Sequence, residues 1–181
     1  MKTKDENHAL EQAKCQLASI REMVAALTCD YYRLEALREE RDDYDVDDAD
    51  DRAIQTGEKN LEEIWASDNP DDSQELARLE IDAGDCESEE AARQAITEDP
   101  LSVQVRSDWH DVDRPGEASE FCILLCTGGP ACRIVGELEN DEPFSARIEY
   151  QDWGTPWTDY QLSSEEMEDV LTYCRCFYFG S

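Results

Sequence analysis

Phe121-Cys122-Ile123-Leu124-Leu125-Cys126 and Ala131-Cys132-Arg133-Ile134-Val135-Gly136-Glu137-Leu138 are two short apolar runs joined by Thr127-Gly128-Gly129-Pro130. Runs of this length, rich in branched residues and bounded by Gly and Pro, are strands, and the four-residue link is turn chemistry, so the pair predicts an antiparallel hairpin. Downstream, Asn140-Asp141-Glu142-Pro143 is a second turn, and Ala146, Ile148 and Tyr150 alternate with polar residues as a third strand. Upstream, Leu101, Val103 and Val105 alternate in the same way after Pro100. Residues 100–181 therefore predict a four-stranded antiparallel sheet whose last three strands form a meander. Ser163-Ser164-Glu165-Glu166 is a capping box that opens a final helix through about Cys176.

Before Pro100 the period changes from two to three and four. Leu10, Ala13, Leu17, Ile20, Val24, Leu27, Tyr31 and Leu34 follow a 3-4 alternation over more than three heptads. This predicts one long helix with a narrow apolar seam, which can close on the chain's own second helix or on a second copy; its width favours a coiled-coil homodimer. The seam runs into Asp42-Asp43-Tyr44-Asp45-Val46-Asp47-Asp48-Ala49-Asp50-Asp51, in which seven of ten residues are aspartate. Asp is poor inside a helix and good at its N-cap, so a second helix is expected to start here, carry Ile54, Leu61, Ile64 and Trp65, and stop at Asn69-Pro70. Helices over 72–83, with Gly84 just past the end, and over 88–97, with Ser88 as N-cap, complete an acidic helical region of residues 1–99. The expected fold is thus α+β: an acidic, coiled-coil-like helical region, then the sheet with its C-terminal helix.

Charge bounds the function. The 181 residues hold 46 Asp and Glu against 16 Lys and Arg, a formal charge of -30, with the excess concentrated in residues 30–99 (26 acidic, 7 basic). Four Trp, seven Tyr and regular apolar periodicity argue for a folded chain despite that charge. Direct binding of nucleic acid is not expected, because its affinity comes from Lys and Arg neutralising phosphates. No run of about 18 apolar residues is present and Met1 to Leu10 is polar, so neither a membrane span nor a secretory leader is expected. The eight cysteines are then expected to be free thiols in a reducing cytoplasm.

No catalytic, metal or cofactor motif is supported by the sequence. His8 and His110 lie in no nucleophile constellation. The alternating aspartates from Asp43 resemble a calcium loop, but its sixth and twelfth positions, which need Gly and Glu, hold Asp48 and Ile54. Cys122, Cys126, Cys132, Cys174 and Cys176 include no CxxC pair, and burial on both faces of a strand accounts for them better than zinc. The Gly128-Gly129 turn lacks the Lys-Ser/Thr of a phosphate loop. In Tyr150-Gln151-Asp152-Trp153-Gly154-Thr155-Pro156-Trp157-Thr158-Asp159-Tyr160 the aromatics are expected to fold onto the core, with Trp157 the exposed exception available to a partner.

What remains is the acidic surface itself. If Asp42 to Asp51 were helical, its seven charges would span about 15 Å, over which duplex DNA carries about nine. Carboxylates at that density on a rigid body can occupy the groove in which another protein holds DNA. Asp42, Asp43, Asp45, Asp47, Asp48, Asp50 and Asp51 are the first candidates for such a contact, and Glu62, Glu63, Asp71 and Asp72 the second. A solvated acidic face is the bland alternative.

Glu98-Asp99-Pro100-Leu101-Ser102-Val103, Leu124 to Pro130, Tyr150 to Tyr160 and Leu171-Thr172-Tyr173-Cys174 resemble small acidic proteins of uncharacterised function carried by bacteriophages and other mobile elements, over about residues 10–181. In charge and size the chain also resembles anti-CRISPR and antirestriction DNA mimics, a functional class without a common motif. That resemblance implies a non-enzymatic inhibitor in the cytoplasm of a bacterial host, competing with DNA for a CRISPR effector or a restriction enzyme. The alternative is a structural or adaptor protein that recruits its partner through the N-terminal coiled coil.

Overall fold

In the computed structural model, which describes residues 4–113 and 116–180, seven helices and five strands follow in the order α1 (Lys4–Thr28), α2 (Tyr31–Asp42), α3 (Asp48–Thr56), α4 (Leu61–Asp68), α5 (Pro70–Ala83), α6 (Glu89–Glu98), β1 (Ser102–Ser107), β2 (Ala118–Cys126), β3 (Ala131–Glu139), β4 (Glu142–Gln151), β5 (Thr158–Asp159) and α7 (Ser164–Cys174). The α+β class and the order of helices, sheet and final helix are as expected; the sheet has five strands instead of four. By contacts the chain divides into a unit of residues 1–24 with 90–181 and a unit of residues 25–89, where composition had suggested one boundary at residue 99.

In the first unit the strands run β1-β2-β3-β4-β5, each antiparallel to the next. The β3–β4 hairpin turns on Asn140 and Asp141, both in the left-handed region (φ 53° and 65°) that Asn and Asp tolerate better than other side chains. β5 escaped the sequence reading because two residues carry no alternation. Phe121, Ile123 and Leu125 of β2, Cys132, Ile134 and Leu138 of β3, and Ala146 and Ile148 of β4 are buried. α7 packs on β4. Gly136 sits where a side chain would collide with the Phe121 ring and the Ser145 carbonyl. Cys122, Leu124 and Cys126 are only half-buried, so the expectation that β2 is buried on both faces fails.

The α1 seam closes within the chain. Ala13, Leu17, Ile20 and Val24 are each no more than 7% exposed, and Arg21 reaches Asp169 and Glu165 of α7, both at 2.9 Å. A homodimer through this helix has no exposed seam to use. The helix is also shorter than its periodicity: Asp30 accepts the Arg33 N–H at 3.0 Å and starts α2 as a new helix. A cap of this kind is invisible to apolar spacing, which continues through it. In α7 the Ser163–Glu166 capping box forms as expected, and Glu166 is held below its ordinary value by hydrogen bonds from Ser163. Buried Tyr173 donates to Asp99 at 2.6 Å, and burial together with that bond pushes its phenol far upward.

The second unit is a small helical body. Leu34 and Leu37 of α2, Trp65 of α4, and Leu76, Leu79 and Ala83 of α5 form its core. The single helix expected across Ile54 and Trp65 is two, α3 and α4: Gly57 takes φ 73°, and Asn60 with Glu63 forms a capping box that restarts the chain. α5 begins at Pro70 and ends at Gly84 (φ 55°).

Candidate functional site: an acidic hollow on the helical unit

Residues 25–89 hold 23 acidic and 6 basic side chains, net -17 on 65 residues. The segment 42–51 is not one helix. Asp42 ends α2, Asp43 is its C-cap, and α3 begins at Asp48. The connection between them is tied down: the Tyr44 hydroxyl donates to Asp68 at 2.8 Å, which raises the Tyr44 phenol above its usual range, and Asp47 Oδ1 accepts the Asp50 N–H at 2.9 Å. The charge density computed for one uninterrupted helix therefore does not apply.

The fold sorts the candidate carboxylates. Asp42 pairs with Arg41 at 3.0 Å, Asp50 with Lys59 at 2.9 Å and Asp72 with Arg33 at 2.7 Å. Asp51 accepts from Gln55 at 2.9 Å, Asp47 caps α3, and Glu63 completes the α4 capping box. Asp48 opens α3; its side chain lies outside the described residues. Asp43, Asp45, Glu62 and Asp71 are exposed and hold their charge toward solvent. Six of the eleven residues chosen from sequence thus serve the scaffold, because Asp and Glu are also good capping residues and the natural partners of local Arg and Lys.

Two carboxylates were missed. Glu39 and Glu40 of α2 line a shallow hollow together with Asp43, Asp45, Ala36, Tyr44, Asn69 and the edge of Trp65. Helical spacing could have found them, since 36, 39, 40 and 43 share one face. Glu40 lies 3.7 Å from Arg33, and Glu39 is exposed. The hollow therefore presents Glu39, Asp43 and Asp45 from a helix end and a tethered link, over an aromatic floor. Among the described residues no group of three or more His, Cys, Asp or Glu side chains is placed to hold a metal ion.

A second cluster lies on the sheet face opposite buried Ile134 and Ile148. Glu149, 7% exposed, accepts from Arg133 at 2.7 Å and from Arg147 at 3.0 Å, and the Arg133 guanidinium stacks 4.0 Å from the Trp157 ring centre. Trp157 is therefore half-buried, not the exposed exception; Trp153, 78% exposed, is the outward ring, with its indole N–H donating to the Gly128 carbonyl at 2.9 Å. All three arginines of this face, Arg106 included, have carboxylate partners. We read the cluster as a clamp on the sheet. Replacing Glu149 by Gln leaves two cations around a neutral, nearly buried group, and should cost about 2 kcal/mol after allowing for the partial exposure of both arginines. Thermal melting with Trp fluorescence measures it; an unchanged melt would show that the pairs contribute nothing.

Among the described residues no helix is long and apolar enough to cross a membrane, and all eight cysteines are free. No family model, no curated protein and no solved structure matches this chain.

Proposed function

We propose that the chain is a non-enzymatic binding protein whose acidic helical unit occupies the Lys- and Arg-lined surface on which another protein holds DNA, as in a CRISPR effector or a restriction enzyme of a bacterial host. The observation that supports it best is the acidic hollow: Glu39, Asp43 and Asp45 held around Trp65 on a body of net charge -17. Charge fixed on an ordered scaffold loses less entropy on docking than charge on a flexible tail, and it steers association with a basic groove. The resemblance to acidic mobile-element proteins and DNA mimics is consistent with this reading. An adaptor acting through an N-terminal coiled coil lacks its surface, since the seam is buried in the chain's own core.

The test is capture of partners from a bacterial lysate containing CRISPR and restriction systems, followed by competition. A DNA-handling complex released by added duplex, and steeply by salt between about 50 and 200 mM, is the expected result. Capture that duplex DNA does not displace would end the proposal.

A further inference from the structure

The two edges of the sheet are built differently. β5 is two residues long, follows Pro156 and ends in Asp159, which is the usual protection of an edge against pairing with other chains. β1 has none of this over most of its length. It runs six residues, Ser102-Val103-Gln104-Val105-Arg106-Ser107, pairs among the described residues with β2 alone, and has an irregularity in register only at its end, between Arg106 and Ser107. Up to that point no proline, acidic residue or bulge interrupts it.

Its side chains are exposed where the rest of the sheet's inward face is covered. Val103 and Val105 stand on the same side as buried Ile123 and Phe121, their register partners, yet are 39% and 51% exposed; Leu101 just before them is 60% exposed. Trp109 and Val112, a few residues beyond, are fully exposed. In a chain where 46 of 181 residues are acidic, Leu101 to Ser107 contains none. That stretch can approach another molecule of charge -30 without placing carboxylate against carboxylate.

The geometry points to a second copy of this chain as the occupant, paired antiparallel through β1 about a two-fold axis at Gln104. In that register Val103 faces Val105 of the second copy and Val105 faces its Val103, so apolar residues meet on the inward face. On the other face Gln104 meets Gln104, and Ser102 meets Arg106, with no like charges opposed. Centring the pair on Val105 instead would set Val103 against Ser107 and Gln104 against Arg106, leaving Val105 against Val105 as the one apolar pair in place of two. The β1-centred dimer joins two five-stranded sheets into one continuous ten-stranded sheet. It is independent of the acidic hollow, and salt acts on it with the opposite sign: screening the repulsion between two bodies of charge -30 strengthens the dimer, whereas it weakens binding to a basic groove.

Analytical ultracentrifugation of the full chain over a micromolar range, at low and moderate salt, tests this. A monomer–dimer equilibrium that tightens with salt is expected. Val103→Lys with Val105→Lys should raise the dissociation constant about a hundredfold, because it removes two buried contacts in each copy and opposes like charges. Val103→Glu with Val105→Glu should do the same. An equal mixture of the two double variants should restore a dimer, since each Lys then faces a Glu; two misfolded proteins would not complement each other. A wild-type chain that stays monomeric at moderate salt, a dimer indifferent to the Lys pair, or a mixture that does not associate would each overturn the proposal.

Discussion

Replacing Glu39, Asp43, Asp45, Glu62 and Asp71 together by their amides is expected to weaken binding to the proposed DNA-handling partner roughly a thousandfold while leaving the fold intact. Each of the five is exposed. An exposed charge facing an opposite charge at an interface contributes on the order of 0.5–1 kcal/mol, and five of them reach about 2.5–5 kcal/mol. The salt dependence of binding should become shallower in the same variant. A second variant, with Asp42, Asp50 and Asp72 changed to Asn, separates contact from total charge. Those carboxylates are already occupied by Arg41, Lys59 and Arg33, so their loss removes formal charge but little unshared potential, and binding should fall less than about tenfold. Titration of each variant against the same partner, with circular dichroism to confirm the helices, decides the matter. If the five-residue variant binds as the parent does, the hollow is only a solvated acidic surface.

The parts of the fold that the sequence announces are those whose signal is local. The hairpin around Thr127 to Pro130, the Asn140-Asp141 turn, the Ser163–Glu166 capping box and the Gly84 stop each depend on residues within a few positions of one another, and each forms. What stayed hidden depends on choices between competing local signals or on distant neighbours. Apolar spacing runs unbroken from Leu10 to Leu34, and only the Asp30 cap ends the first helix. Asn60 acts in the same way between Ile54 and Trp65. The seam's partner was open to two readings because periodicity gives a face and not its occupant. The site shows the same division. That residues 25–89 are densely acidic is plain in composition. Which carboxylates remain available is not, because Arg33 meets Asp72 and Glu75 across about forty residues of chain, and Arg133 finds Glu149 and Trp157 through strand register. In a chain with 46 acidic residues, pairing with 16 basic ones is the step that selects a surface, and it is a tertiary property.

Trp65→Ala is expected to unfold the helical unit while the sheet persists. Trp65 is 3% exposed and belongs to a core of six buried residues, with Leu34, Leu37, Leu76, Leu79 and Ala83. Truncating a buried Trp costs about 3–5 kcal/mol through lost contacts and the cavity left behind. A 65-residue unit that also carries net charge -17 has little reserve against a loss of that size. All six lie in residues 25–89, outside the unit that carries the strands. Hydrogen exchange resolves the two: backbone amides of α2, α4 and α5 should lose protection, and those of β2, β3 and β4 should retain it. Trp65→Phe, which keeps most of the apolar volume, should restore a large part of the protection. Because Trp65 floors the hollow, the Ala variant should also lose partner binding without the removal of a single charge, which the amide variants cannot show. Equal loss of protection in helices and strands would mean that the chain unfolds as one cooperative body, and the hollow would then owe its order to the whole molecule rather than to these six side chains.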